Sequence, residues 1–147
     1  MKKLLQATIA VAGIFLFTAC TNNNSAPTLA SFLGPKDSGV QQAGIKMIPI
    51  TTPVGTFKVW TKSIGNSERV KVLLLHGGPA MTHEYMECFE SFLPAQGYEI
   101  IEYDQLGSFY SDQPKDSSLW TVDRFVDEVE QVRAALNLTK DNFYIIE

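Results

Sequence analysis

The sequence predicts an α/β fold in which a β-hairpin leads into a parallel βαβαβ unit, left incomplete within its 147 residues. Three observations carry that expectation. Two strand-like runs flank a short turn. Three further apolar runs have the composition of strands covered on both faces. Two stretches with apolar residues at helical spacing separate those three runs. The alternation predicts right-handed crossovers onto one sheet.

The elements follow in order. Ile45–Ile50 and Thr56–Ile64 read as strands, and Thr51-Thr52-Pro53-Val54-Gly55 between them supplies the turn chemistry of a hairpin. Val70–Leu75 is the first buried strand. Glu84–Ala95 places Tyr85, Met86, Phe89, Phe92 and Leu93 at helical spacing, and Gly97 stops it. Cys88 in that pattern reads as a buried, inert thiol. Tyr98–Tyr103 is the second buried strand, and Leu106–Ser118 is a loop rich in turn formers. Val122, Phe125, Val126, Val129, Val132 and Leu136 mark one helix face, with Thr121 as N-cap and Asp123 suited to the positive end. Asn142–Ile146 is the third buried strand.

Upstream, three segments are expected. Lys2 and Lys3 precede the apolar run Leu4–Phe17, which is short for a bilayer span, and Phe17-Thr18-Ala19-Cys20 follows. This layout resembles a bacterial lipoprotein signal peptide over residues 1–19. The resemblance implies cleavage before Cys20, lipid on that cysteine, and an exported protein anchored to a membrane of the bacterial cell envelope. Phe17 departs from the aliphatic residue usual in such signals. An ordinary secretory signal or an uncleaved anchor has the same outline. Residues 20–44 are polar and turn-forming and read as a flexible tether to a domain spanning 45–147.

Composition excludes several classes. A net charge of -4 without a Lys/Arg cluster gives nucleic acid no footprint. With Cys20 lipidated, Cys88 alone supports neither a disulfide framework nor a metal site, and no cofactor motif is present. The oligomeric state is not readable.

The chemistry-bearing stretch is Leu75-His76-Gly77-Gly78-Pro79-Ala80. In a parallel sheet, ligands bind beyond the carboxyl ends of the strands. Glycines placed there let the backbone come close to a ligand and aim N–H groups at it. Such donors suit a developing oxyanion. Pro79 fixes the turn, with a cis bond as one option. A plain Gly-rich connection fits the same residues.

His76-Gly77-Gly78-Pro79-Ala80, with the later Asp104-Gln105-Leu106-Gly107-Ser108-Phe109-Tyr110-Ser111, resembles the proline iminopeptidase branch of the α/β-hydrolase superfamily. The match runs from about residue 45 to the end and implies the N-terminal half of an α/β-hydrolase fold. Ala80 stands where that branch has glycine, and Leu106 where arginine is common. The resemblance assigns the Gly78 N–H to the oxyanion hole. It gives His76, with Gly77 and Pro79, a loop-supporting rather than a catalytic role. Asp104 is a loop-bracing carboxylate. His83 is expected to cap a helix or face solvent, with substrate contact as the alternative. Ser108 and Ser111 are read as turn formers, because neither sits in Gly-x-Ser-x-Gly.

In this superfamily the strand ending at Ile146 leads into that nucleophile elbow, and no such motif occurs in the 147 residues. The expectation is therefore the N-terminal part of a serine aminopeptidase that releases N-terminal residues, proline foremost, from peptides by acyl transfer. The chain alone would be inactive. An esterase, an epoxide hydrolase or a non-enzymatic tethered lipoprotein are the alternatives.

Overall fold

The computed structural model describes residues 42–147 apart from Pro79. The expected leader with Cys20, most of the expected tether and Pro79, with the bond expected there, lie outside the described residues. The described residues form a five-stranded sheet in the order β1-β2-β4-β3-β5. The strands are β1 (Gln42–Thr52), β2 (Gly55–Ile64), β3 (Lys71–Leu75), β4 (Glu99–Asp104) and β5 (Phe143–Ile146). β1 and β2 form the expected hairpin, with Ile50 opposite Phe57 and Ile48 opposite Val59. β1 begins at Gln42, so it takes three residues from the expected tether. Its register slips between Gln42 and Gly44, where Gly44 has φ 88°.

β2 runs antiparallel to β4, and β4 and β5 flank β3 in parallel. Alternation along each strand divides the core in two. Ile101 and Tyr103 of β4 join Leu73 of β3 and Val59 of β2 on one face, under Val132, Leu119 and Leu138. Ile100 of β4 joins Val72 and Leu74 of β3 and Ile64 of β2 on the other face, under Met86. Both faces are covered, which is why β3 and β4 are rich in apolar residues, broken by Lys71 on β3 and by Glu99, Glu102 and Asp104 on β4.

The segment after β3 differs from the expected α-helix. It is a 3-10 helix over His83–Ser91, followed by a second short one at Pro94–Gln96. Pro94 has no N–H to donate, so an α-helical ladder fails there. A 3-10 helix repeats every three residues. His83 and Met86 are accordingly buried and Phe89 is packed against the core, whereas Tyr85, off that line, is exposed, as is Phe92 beyond the helix end. Cys88 is exposed, contrary to the buried thiol expected from a 3.6-residue period.

α1 (Val122–Ala135) starts as expected, with Thr121 Oγ1 accepting the Arg124 N–H at 3.4 Å and Asp123 in the first turn. Part of the expected apolar face is kept, with Val132 in the core and Val129 and Leu136 packed against it, but it is not the whole buried line. Arg124, Glu128 and Val132 point inward, whereas Val122 is 76 % exposed and Val126 is also exposed. At the far end of β1, the Gln131 amide accepts the Thr51 N–H at 2.8 Å and donates to the Thr51 carbonyl at 3.0 Å. β5 is likewise not buried: Tyr144 and Ile145 are exposed on a strand that pairs only with β3.

Candidate active site

β3, β4 and β5 end on one side of the sheet, and a cleft of about 550 Å³ opens beside their carboxyl ends. Leu75 and Gly78 line it from the end of β3, Gln105 from the end of β4, and Ile145 from β5. Phe125 and Val129 belong to its α1 wall. Its lining is mostly apolar, Gln105 and Glu130 apart, and holds no serine, cysteine, threonine or histidine among the described residues.

The backbone folds sharply at the glycines. Gly78 has φ 57° and Ala80 has φ 66°, so the turn is left-handed on both sides of Pro79. Glycine adopts that region freely, while alanine is strained in it. The Gly77 N–H donates to the Tyr85 hydroxyl at 2.7 Å. Among the described residues, no group accepts the N–H of Gly78, a residue that lines the cleft.

His76 is buried and joins the two strand-end loops. Its Nε2 accepts the Gln105 N–H at 2.9 Å, and the Gln105 side-chain amide donates to the His76 carbonyl at 2.8 Å. Nδ1 lies 3.3 Å from the Gly77 carbonyl. Acceptance at Nε2 places the proton of the neutral ring on Nδ1. Burial holds the His76 pKa below its ordinary 6.5, outweighing the Gly77 carbonyl and the charge on Asp104. The ring therefore works as a neutral brace.

Asp104 is fully buried at the end of β4. Its Oδ1 accepts the His83 N–H at 3.0 Å and lies 2.9 Å from His83 Nδ1. Its Oδ2 accepts the Tyr110 N–H at 3.3 Å. His83 is thus buried rather than exposed or capping, and its ring stacks on Trp60 with centroids 4.3 Å apart. Both serines of the loop after β4 are buried in backbone hydrogen bonds. Ser111 Oγ accepts the Trp60 N–H at 2.8 Å and donates to the Asp104 carbonyl at 2.5 Å, and Ser108 Oγ donates to the Met81 carbonyl. Gly107 of this loop has φ 88°, and a Cβ there would stand 2.3 Å from the Trp120 ring.

A second network beneath the loop was not anticipated from sequence. Glu128 of α1 accepts from the Tyr103 hydroxyl and from the Leu106 N–H at 2.9 Å, and it pairs with Arg124 one turn earlier. Arg124 Nε also donates to the Leu119 carbonyl at 2.7 Å. Burial raises the Tyr103 pKa, so the phenol keeps its proton to give to Glu128. The signal available in the sequence was the i, i+4 spacing of Arg124 and Glu128. No apolar period reveals Tyr85 or Gln105.

The family described as alpha/beta hydrolase fold matches residues 71–145, just over half of the chain. A proline iminopeptidase from Flavobacterium johnsoniae is 74% identical over 100 residues, covering 68% of this chain and 34% of the relative. A proline iminopeptidase from Elizabethkingia meningoseptica is 70% identical over 100 residues, again covering 68% of this chain and 34% of the relative. The crystal structure of proline iminopeptidase from Mycobacterium smegmatis superposes with a TM-score of 0.58 at 26% identity, covering 69% of this chain and 34% of that one. The chain thus spans about a third of the length of the relatives it matches. A hairpin joined to a parallel sheet, with a glycine turn at the carboxyl end of β3 and this profile match, places the chain in the α/β-hydrolase fold family.

Proposed function

We propose that these residues build the oxyanion side of a serine aminopeptidase of proline iminopeptidase type. The observation that carries the reading is the unengaged N–H of Gly78, held on a left-handed turn at an apolar cleft beyond the strand ends. A serine supplied by the part of the relatives' length that this chain does not span would attack the carbonyl of an N-terminal proline residue. A histidine from that part would take the serine's proton and pass it to the leaving amine. The negative oxygen would lie against the Gly78 N–H and a second N–H following the serine. His76 and Asp104 would stay outside the proton transfers, since both are engaged in holding loops. The choice of proline is supported by the identity to the Flavobacterium and Elizabethkingia proteins.

The test is an assay of the full-length gene product on a panel of amino-acyl chromogenic amides and simple esters. Turnover led by the prolyl amide supports the reading. Ester turnover with no action on any amino-acyl amide overturns it in favour of an esterase.

We also infer that the protein is exported and held to a membrane of the bacterial envelope by lipid on Cys20. Lys2-Lys3, the apolar run and the small residues before Cys20 support this. Mass spectrometry of the mature N-terminus should find an acylated Cys20. An intact Met1 or an unmodified start elsewhere contradicts it.

A further inference from the structure

We propose that Tyr85 is a positioning residue for the oxyanion donor, an inference that rests on the hydrolase reading above. The turn offers two glycine N–H groups side by side. The Tyr85 hydroxyl accepts that of Gly77 at 2.7 Å and so withdraws it from any ligand. The neighbouring Gly78, which lines the cleft, is left with its N–H unclaimed among the described residues and so available as the donor.

Packing does not account for Tyr85. Its side chain is 50 % exposed and belongs to neither core cluster. What fixes it is the 3-10 helix beneath. That helix is anchored two residues earlier by His83, whose backbone and ring both meet Asp104, and one residue later by the buried Met86. A continuous set of contacts therefore runs from the end of β4 through Asp104, His83 and Tyr85 to Gly77. His76 joins the same turn to Gln105 from the other side. The glycine turn is gripped on both flanks.

The grip matters because glycines are conformationally permissive. An oxyanion donor contributes to rate only if it is in place before charge develops. Without the Tyr85 hydroxyl, Gly77 would lose its partner and the turn would sample other orientations, some with the Gly78 N–H turned from the cleft.

The test compares the full-length protein with its Tyr85→Phe variant on one amino-acyl amide, alongside binding of an aldehyde transition-state analogue and amide exchange at Gly77. We expect kcat to fall about tenfold, short of the roughly 10²–10³ that follows outright loss of an oxyanion donor. KM should stay within about twofold, because the interaction acts on the transition state. Affinity for the aldehyde should fall in step with kcat/KM, and the Gly77 amide should exchange faster. An unchanged kcat overturns the proposal, as does a raised KM at constant kcat or a lower Tm without a kinetic effect. An unprotected Gly77 amide in the wild-type protein overturns it without any variant. If the wild type acts on esters alone, the peptidase reading fails, and the same comparison on an ester still decides the role of Tyr85.

Discussion

The imidazole Nε2 of His76 accepts the backbone N–H of Gln105 at 2.9 Å, tying the loop after β3 to the loop after β4. A protonated ring cannot accept that bond. Burial keeps the folded-state pKa below the ordinary 6.5. Between the folded value and 6.5 the unfolded chain binds more protons than the folded one, so this group's contribution to stability rises with pH through that window. It is fully present above about 6.5 and fades as pH falls toward the folded pKa. Replacing His76 by Ala should remove this pH dependence and cost about 1–3 kcal/mol at neutral pH, because the Gln105 N–H loses its partner. Denaturant titrations of wild type and His76→Ala between pH 5 and 8 check this. Parallel stability profiles contradict it.

Glu102 acts in the opposite direction. Its side chain is fully buried on β4, and among the described residues its oxygens make no hydrogen bond. The Lys62 ammonium stands 3.3 Å away and is shared with Glu90. Burial raises the Glu102 pKa to about 7. Lys62 lowers it only in part, and the Glu90 charge adds to the rise. The folded chain then holds a proton that the unfolded chain has released, so stability falls as pH climbs toward 7. Glu102→Gln should gain stability relative to wild type from pH 5 to 8. A stability difference that is flat across that range contradicts it.

Glu128 is the buried acceptor for the Tyr103 hydroxyl, the Leu106 N–H and the Arg124 guanidinium. Glu128→Ala should cost about 3–5 kcal/mol, since Arg124 would remain buried without its counter-charge. Removing both charges with Arg124→Leu and Glu128→Leu should cost less than Glu128→Ala alone. Equilibrium unfolding of the wild type, Glu128→Ala and the double variant tests this, and a double variant less stable than Glu128→Ala contradicts it.

The strands were legible because burial on both faces enriches them in apolar residues, as in Val70–Leu75, broken by Lys71, and Tyr98–Tyr103, broken by Glu99 and Glu102. The glycine turn was legible as a motif. The segment from His83 was misread because Tyr85, Met86, Phe89 and Leu93 imitate a 3.6-residue period, while the true repeat of three aligns His83, Met86 and Phe89. α1 was misread on its inner face, where the Arg124–Glu128 ion pair joins Val132 in place of Val122 and Val126, which stay exposed at the cleft. The hold of Tyr85 on Gly77 joins a side chain to a backbone group eight residues away, a relation that no hydrophobic period encodes.

Residues 21–147 expressed alone should hydrolyse neither amino-acyl amides nor esters. Ser108 and Ser111 have their hydroxyls committed to backbone groups, and neither lines the cleft. Turnover by this polypeptide that a serine-directed phosphonate abolishes would contradict that assignment and make one of the two the nucleophile.

The most direct measurement is a crystal structure of the full-length protein with a prolyl aldehyde bound as a tetrahedral adduct. The adduct's oxygen is expected at about 2.7–3.1 Å from the Gly78 nitrogen, with the Gly77 N–H still on Tyr85. An adduct whose oxygen is held by other donors, with the Gly78 N–H turned to solvent, would contradict it.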